Sequence, residues 1–201
     1  SQDDSQNARL EIRLTDAPGD YEEVNVDIQG IEVQTANGDL ASGWKSLEVQ
    51  NGVYNLLRLT NGMDTLLAAI ELPAGKISQI RLLLGENNSV QIDGQVLQLA
   101  TPSAQQSGLK LNVHADLLEG ITYKMLLDFD AARSIVKTGA GTFSLKPVIR
   151  SITEAISAAI KGEVNPPESF TAVFALCGAD TVATTYADST GKFLLRGVPA
   201  G

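Results

Sequence analysis

The sequence predicts an all-β protein, an antiparallel β-sandwich followed by a second, smaller and incomplete β-sandwich module. Three observations predict it. Apolar residues recur with period two along nearly every segment, the pattern of strands with one buried face. Turns rich in Gly, Asn and Asp separate these segments at near-regular spacing. Only two stretches have helical character, 62–69 and the few residues after Asp130.

The chain opens with SQDDSQN, polar and acidic, which reads as a flexible tail over residues 1–7. Leu10, Ile12 and Leu14 then alternate with Arg9, Glu11 and Arg13, a strand with an apolar inner face. After the turn TDAPGDY, Val24, Val26 and Ile28 face one way, whereas Ile31 and Val33 fall in the opposite phase. Gly30 sits at the switch and predicts a β-bulge, whose extra residue returns the apolar side chains to the core. Ile80, Leu82 and Leu84 form a further strand. Val90 and Ile92 meet Leu97 and Leu99 through Asp93-Gly94, a two-residue hairpin signal of the type I′ kind.

Two more strands follow the polar stretch TPSAQQSG. LKLNVHADL points Leu109, Leu111, Val113, Ala115 and Leu117 inward, and ITYKMLLDF points Ile121, Tyr123, Met125, Leu127 and Phe129 inward. A three-residue loop, Leu118-Glu119-Gly120 with a left-handed Gly, joins them as a hairpin that sets Leu117 against Ile121 and Val113 against Met125. In that register Lys110 faces Asp128 and His114 faces Lys124. The first domain is expected over residues 8–151, with a linker over 152–159 and the second module over 160–201. That second segment is far shorter than the roughly 100 residues of a seven-stranded sandwich. It is therefore expected to be completed by chain beyond Gly201 or by a strand from a neighbour.

Composition narrows the function. The net charge of −9 and an aromatic content of 5% leave neither a cationic surplus for phosphates nor a base-stacking platform, which excludes nucleic acid. No apolar run approaches the roughly 18 residues needed to span a bilayer, and Leu66 to Leu72 is strand-sized. The single cysteine, Cys177, excludes an intramolecular disulfide and lies in TAVFALCG, where it reads as a small buried hydrophobe.

The stretch 101–149 holds the sole histidine, serines and the pair Asp128 and Asp130, so a Ser-His-Asp hydrolase is the tempting reading. The expected register disperses it: Lys124 beside His114 supplies no orienting carboxylate, and Asp130 before two alanines is a helix N-cap. A lone histidine without a cysteine cluster also rules out a zinc site, and no cofactor is expected. Asp16 and Asp20 are weak calcium candidates, because their spacing lacks a dedicated loop's regularity and Pro18-Gly19 accounts for the turn. The loop Thr101 to Gly108 is longer and more polar than a tight hairpin requires. Thr101, Ser103, Gln105, Gln106 and Ser107 are accordingly the expected ligand-contacting residues.

Four separated blocks carry a resemblance: ARLEIRLTDAPGDYEEVNVDIQGIEV, ISQIRLLLG, TPSAQQSGLKL and LLDFDAARSIV. Together they resemble the bacterial domain-of-unknown-function family 4382 over about residues 8–151. The late stretch D-x-x-G-x-F-x-L-x-G-x-P-x-G, Asp188 to Gly201, resembles the carboxypeptidase-regulatory-like, transthyretin-type β-sandwich. The acidic Asp3-Asp4 pair resembles the tether that follows the lipidated cysteine of Gram-negative surface lipoproteins. These resemblances imply an immunoglobulin- or transthyretin-like sandwich in an envelope protein, secreted or at the outer-membrane surface. Any membrane attachment would come through a lipid anchor outside the visible chain. They supply no catalytic residues. The expected function is non-enzymatic binding or adhesion to a protein or glycan; the alternative is a structural subunit of a surface fibre that self-assembles through a donated strand.

Overall fold

The computed structural model describes residues 7–16, 20–35, 43–60, 63–101, 108–139, 141–167 and 171–199, with Arg196 and Gly197 as backbone only. Among them the chain forms sixteen strands. β1 (Asn7–Asp16), β5 (Thr65–Pro73), β10 (Thr122–Phe129), β13 (Ile149–Glu163) and β16 (Lys192–Pro199) make one sheet in the order β16-β13-β10-β1-β5. A second sheet runs β11 (Ile135–Thr138), β12 (Thr142–Leu145), β8 (Gln95–Ala100), β7 (Ser89–Ile92), β2 (Glu23–Thr35), β6 (Gly75–Leu84), β9 (Leu109–Leu117). Two short strands, β3 (Trp44–Leu47) and β4 (Gly52–Asn55), also pair with β2. β14 (Ala172–Cys177) and β15 (Asp180–Tyr186) form a separate hairpin.

The fold is all-β and sandwich-like, because the inner faces of the two large sheets share one core. Leu10, Ile12 and Leu14 of β1 and Met125, Leu127 and Phe129 of β10 contribute from one side; Val24, Val26, Ile28, Ile80 and Leu82 contribute from the other. All are fully buried, each worth about 1.5–3 kcal/mol of apolar transfer. The outer face of β1 carries Arg9, Glu11 and Arg13, tied to Glu71 and Asp64 by cross-strand ion pairs. Two pairings depart from the expected antiparallel arrangement: β1 lies parallel to β10, and β8 parallel to β12.

Local expectations are met where turn chemistry decides them. The pairing of β2 with β6 shifts register between Ile28 and Gly30, so Ile31 and Val33 return to the core. Asp93 and Gly94 both adopt positive φ, 51° and 74°, as a type I′ turn demands, and Val90 pairs with Leu97. Asp130 caps the helix Ala131–Ser134, its carboxylate accepting the Arg133 N–H at 3.0 Å.

The expected hairpin between β9 and β10 is absent. Both strands keep the predicted inside and outside faces, and Gly120 takes the left-handed φ of 72°. Yet β9 pairs with β6 in one sheet, and β10 pairs with β1 and β13 in the other. Leu118 to Gly120 therefore turns a corner between sheets, fastened by the Leu118 N–H donated to the Tyr123 hydroxyl at 2.9 Å. Lys110 lies opposite Arg81 rather than Asp128, and Asp128 instead pairs with Arg150 at 2.7 Å. Lys124 pairs with Glu154, not with the strand bearing His114.

Three other expectations are corrected. The helical turn expected within 62–69 is replaced by strand β5 from Thr65, because the β1–β5 register skips Leu67. That bulge makes Leu67 and Ala68 both buried, which disguises period two as a helix-like spacing. Residues 152–159, expected as linker, lie inside the continuous strand β13, which pairs first with β10 and from Ser157 with β16. Cys177 ends β14 exposed rather than buried. The hairpin β14–β15 packs beside β16, and only Ala187, Gly191 and Leu195 are buried among the described residues from 164 onward. Its outer face shows Phe174, Leu176 and Tyr186 to solvent.

Candidate functional site

The polar loop 101–108 is held at both ends. Thr101 is buried, and its hydroxyl accepts the Asn88 side-chain amide at 3.1 Å. Asn88, itself fully buried, also donates to the Gly85 carbonyl and accepts the Asp27 N–H, both at 2.8 Å. Asp27 receives the Asn87 backbone and side-chain N–H groups at 3.1 and 3.2 Å, and the Gln29 amide. Thr101 is thus an anchor in a satisfied buried network, not a ligand contact. Ser103, Gln105, Gln106 and Ser107 lie outside the described residues.

At the other end Gly108 has φ 74° and lies against Arg81, where a Cβ would come within 2.5 Å of the arginine Cγ. Arg81 leads onto the outer face of the second sheet. Its guanidinium pairs with Glu32 and sits 4.5 Å from the centre of the Trp44 ring, while Ser46 donates to Glu32 at 3.3 Å. Backbone register aligns Ser46, Glu32, Arg81 and Lys110 in one row and Trp44, Gln34, Gln79 and Asn112 in the next. The Gln79 amide donates to Asn112 at 2.8 Å. The result is a two-row polar grid across β3, β2, β6 and β9, with a tryptophan at its edge and Gly108 against its Arg81. The signal available in the sequence was the outward set of each strand; which strands stand side by side was not readable there.

The calcium candidates separate. Asp16 is buried and accepts the Ala131 N–H at 2.9 Å, which gives the helix at Ala131 a second acceptor besides Asp130. Asp20 is exposed. Among the described residues no three His, Cys, Asp or Glu side chains gather as a metal cluster. Of the hydrolase candidates, His114 is exposed on β9, Asp128 holds Arg150 and Asp130 caps the helix at Ala131, while Ser103 and Ser107 lie outside the described residues.

A second concavity was not anticipated. A shallow, open cleft of about 440 Å³ lies among the start of β2, β4, the 3-10 helix Leu56–Leu59 and the start of β5. Glu23, Asn25, Tyr54, Asn55, Arg58 and Thr65 line it. Asn55 shapes it, since its side-chain oxygen accepts the Leu57 N–H at 3.2 Å and starts the 3-10 turn, while Leu56 plugs into the core. Burial pushes the Tyr54 phenol above its ordinary pKa; it stays protonated and donates to the Gln50 carbonyl.

Residues 7–147 match the family model described as Domain of unknown function (DUF4382). The chain belongs to this family. No curated protein and no solved structure matches it. The DUF4382 region thus contains the whole second sheet, the polar grid, the loop and the cleft, together with β1, β5 and β10. β13 and β16 lie beyond the matched region and complete the DUF4382 sheet from outside it, covering the β10 edge that β1 leaves open.

Proposed function

We propose that this DUF4382 protein is a non-enzymatic binding module of the Gram-negative cell surface, lipid-anchored or secreted, that contacts a glycan or protein through the outer face of its second sheet. The observation that carries the reading is the grid of Trp44, Gln34, Gln79, Asn112 and Arg81 with Gly108 against Arg81. Side-chain amides supply paired donors and acceptors for hydroxyls or peptide groups, and a tryptophan fixed by a stacked arginine is a rigid aromatic anchor. Asp128 held by Arg150 and Asp130 committed to the helix cap support a reading without a Ser-His-Asp triad. The acidic stretch 1–7 supports export to the surface, and the Asp188-to-Gly201 text supports an appended carboxypeptidase-regulatory-like module.

A glycan and protein array probed with the folded protein tests this. Binding is expected to be lost on Trp44→Ala and weakened by combined Ser103→Ala, Gln105→Ala and Gln106→Ala. Binding untouched by both changes, or turnover of a bound substrate, refutes it. A second reading, a fibre subunit assembled through a donated strand, is supported by the solvent-facing Phe174, Leu176 and Tyr186. Light scattering that shows a monomer at all concentrations removes it.

A further inference from the structure

Independently of the Trp44 grid, the cleft at the start of β2 and β4 presents a ligand-shaped set of free groups. Arg58 stands exposed at its wall, and no described carboxylate lies within ion-pair distance of it. The Asn55 side-chain oxygen is committed to backbone, to the Val24 N–H at 3.4 Å and the Leu57 N–H at 3.2 Å, which turns its amide N–H₂ outward as a donor. The Thr65 hydroxyl engages no described side chain. Asn25 donates to Glu23 at 3.1 Å and to Ser89 at 3.3 Å, which leaves its side-chain oxygen as an acceptor. Glu23 adds a carboxylate able to accept hydrogen bonds from hydroxyls, and Val53, 53% exposed, adds an apolar wall.

These groups discriminate between ligand classes. A single guanidinium with no lysine beside it suits a monoanion held by a two-point fork. A phosphate dianion is disfavoured by the Glu23 carboxylate and the overall charge of −9. Several neutral donors and acceptors spread over an open floor suit hydroxyl-bearing rings rather than a flat apolar ligand. The volume falls within the range of about 300–1,000 Å³ common to small-ligand sites. We propose that this cleft binds a carboxylate-bearing sugar residue, with Arg58 on the carboxylate and Asn25, Asn55, Thr65 and Glu23 on the ring hydroxyls.

The test titrates the whole protein with a galacturonic acid trisaccharide and, separately, with a neutral galactose trisaccharide, followed by amide NMR. The acidic sugar is expected to shift the side-chain amide signals of Asn25 and Asn55 and to bind roughly tenfold more tightly than the neutral one. Arg58→Gln lowers the acidic sugar to the neutral level, and Arg58→Lys retains an intermediate affinity. Equal affinities, no shifts at millimolar sugar, an unaffected Arg58→Gln variant or shifts confined to the Trp44 indole signal each overturn the assignment. The last of these would move binding to the sheet grid.

Discussion

Replacing Gly85 by alanine probes the buried network that roots the 101–108 loop. An alanine Cβ would fall within 2.6 Å of Asp27 Cγ and closer still to Oδ2, the oxygen that accepts both Asn87 N–H groups. Asp27 is 2% exposed and cannot swing into solvent without leaving those donors. Gly85 has no left-handed φ, so the penalty is steric rather than conformational. Overpacking costs about 1–3 kcal/mol, and weakening one hydrogen bond to a charged acceptor costs about 1.5–3 kcal/mol more. The expected loss is about 3 kcal/mol. With a urea slope of about 2 kcal/mol/M, the unfolding midpoint falls by about 1.5 M. In an Asp27→Ala background the clash disappears, so the second substitution is expected to cost under about 1 kcal/mol, a coupling of about 2 kcal/mol. A Gly85→Ala loss below about 1 kcal/mol, or strict additivity with Asp27→Ala, refutes the packing argument.

Three further outcomes follow from particular contacts. A double-mutant cycle between Asp128 and Arg150 is expected to give about 0.2–1 kcal/mol, small because Arg150 is 72% exposed, whereas Lys110 and Asp128 give none; the reverse would restore the hairpin. Gly191→Ala meets both a φ of 83° and a Cβ only 2.5 Å from the Val164 carbonyl, and is expected to cost about 2 kcal/mol or more, read as lost amide protection in β16. Hydrogen bonds from the Thr190 hydroxyl, then the Thr190 and Lys192 N–H groups, hold the Asp188 carboxyl below its ordinary pKa. Its stabilising contribution is present above the unfolded-state pKa and is lost as pH falls through the folded value. Carboxyl NMR of Thr190→Val is expected to show that midpoint rising; an unchanged midpoint removes the hydroxyl as its main cause.

The candidate site was legible only in pieces. The outward positions of β6 and β9 could be read from alternation, but the alignment of Arg81 with Glu32 and Lys110 depends on which strands pair. Trp44 and Arg81 are far apart in the chain and meet only because β3 and β6 flank β2. The cleft was hidden more deeply, since Glu23, Asn55, Arg58 and Thr65 come from four elements and none stands out by composition. Thr101 shows the converse: its polar context suggested a ligand contact, and burial beside Asn88 made it an anchor.

What the sequence by itself determined is everything that depends on neighbours along the chain. Alternation set the inner and outer faces of β1, β2, β6, β9 and β10; Gly30 set the bulge, Asp93-Gly94 the turn and Asp130 the cap. Only the tertiary structure decided the partners. The inner faces of β9 and β10 satisfy a hairpin and a corner between sheets equally well, because both arrangements bury the same apolar side chains. The choice falls to distant strands: β6 takes the edge of β9, while β1 and β13 take both edges of β10. Backbone hydrogen bonds carry no record of the side chains they join, and so strand order is settled by the competition of all strands for edges rather than by local text.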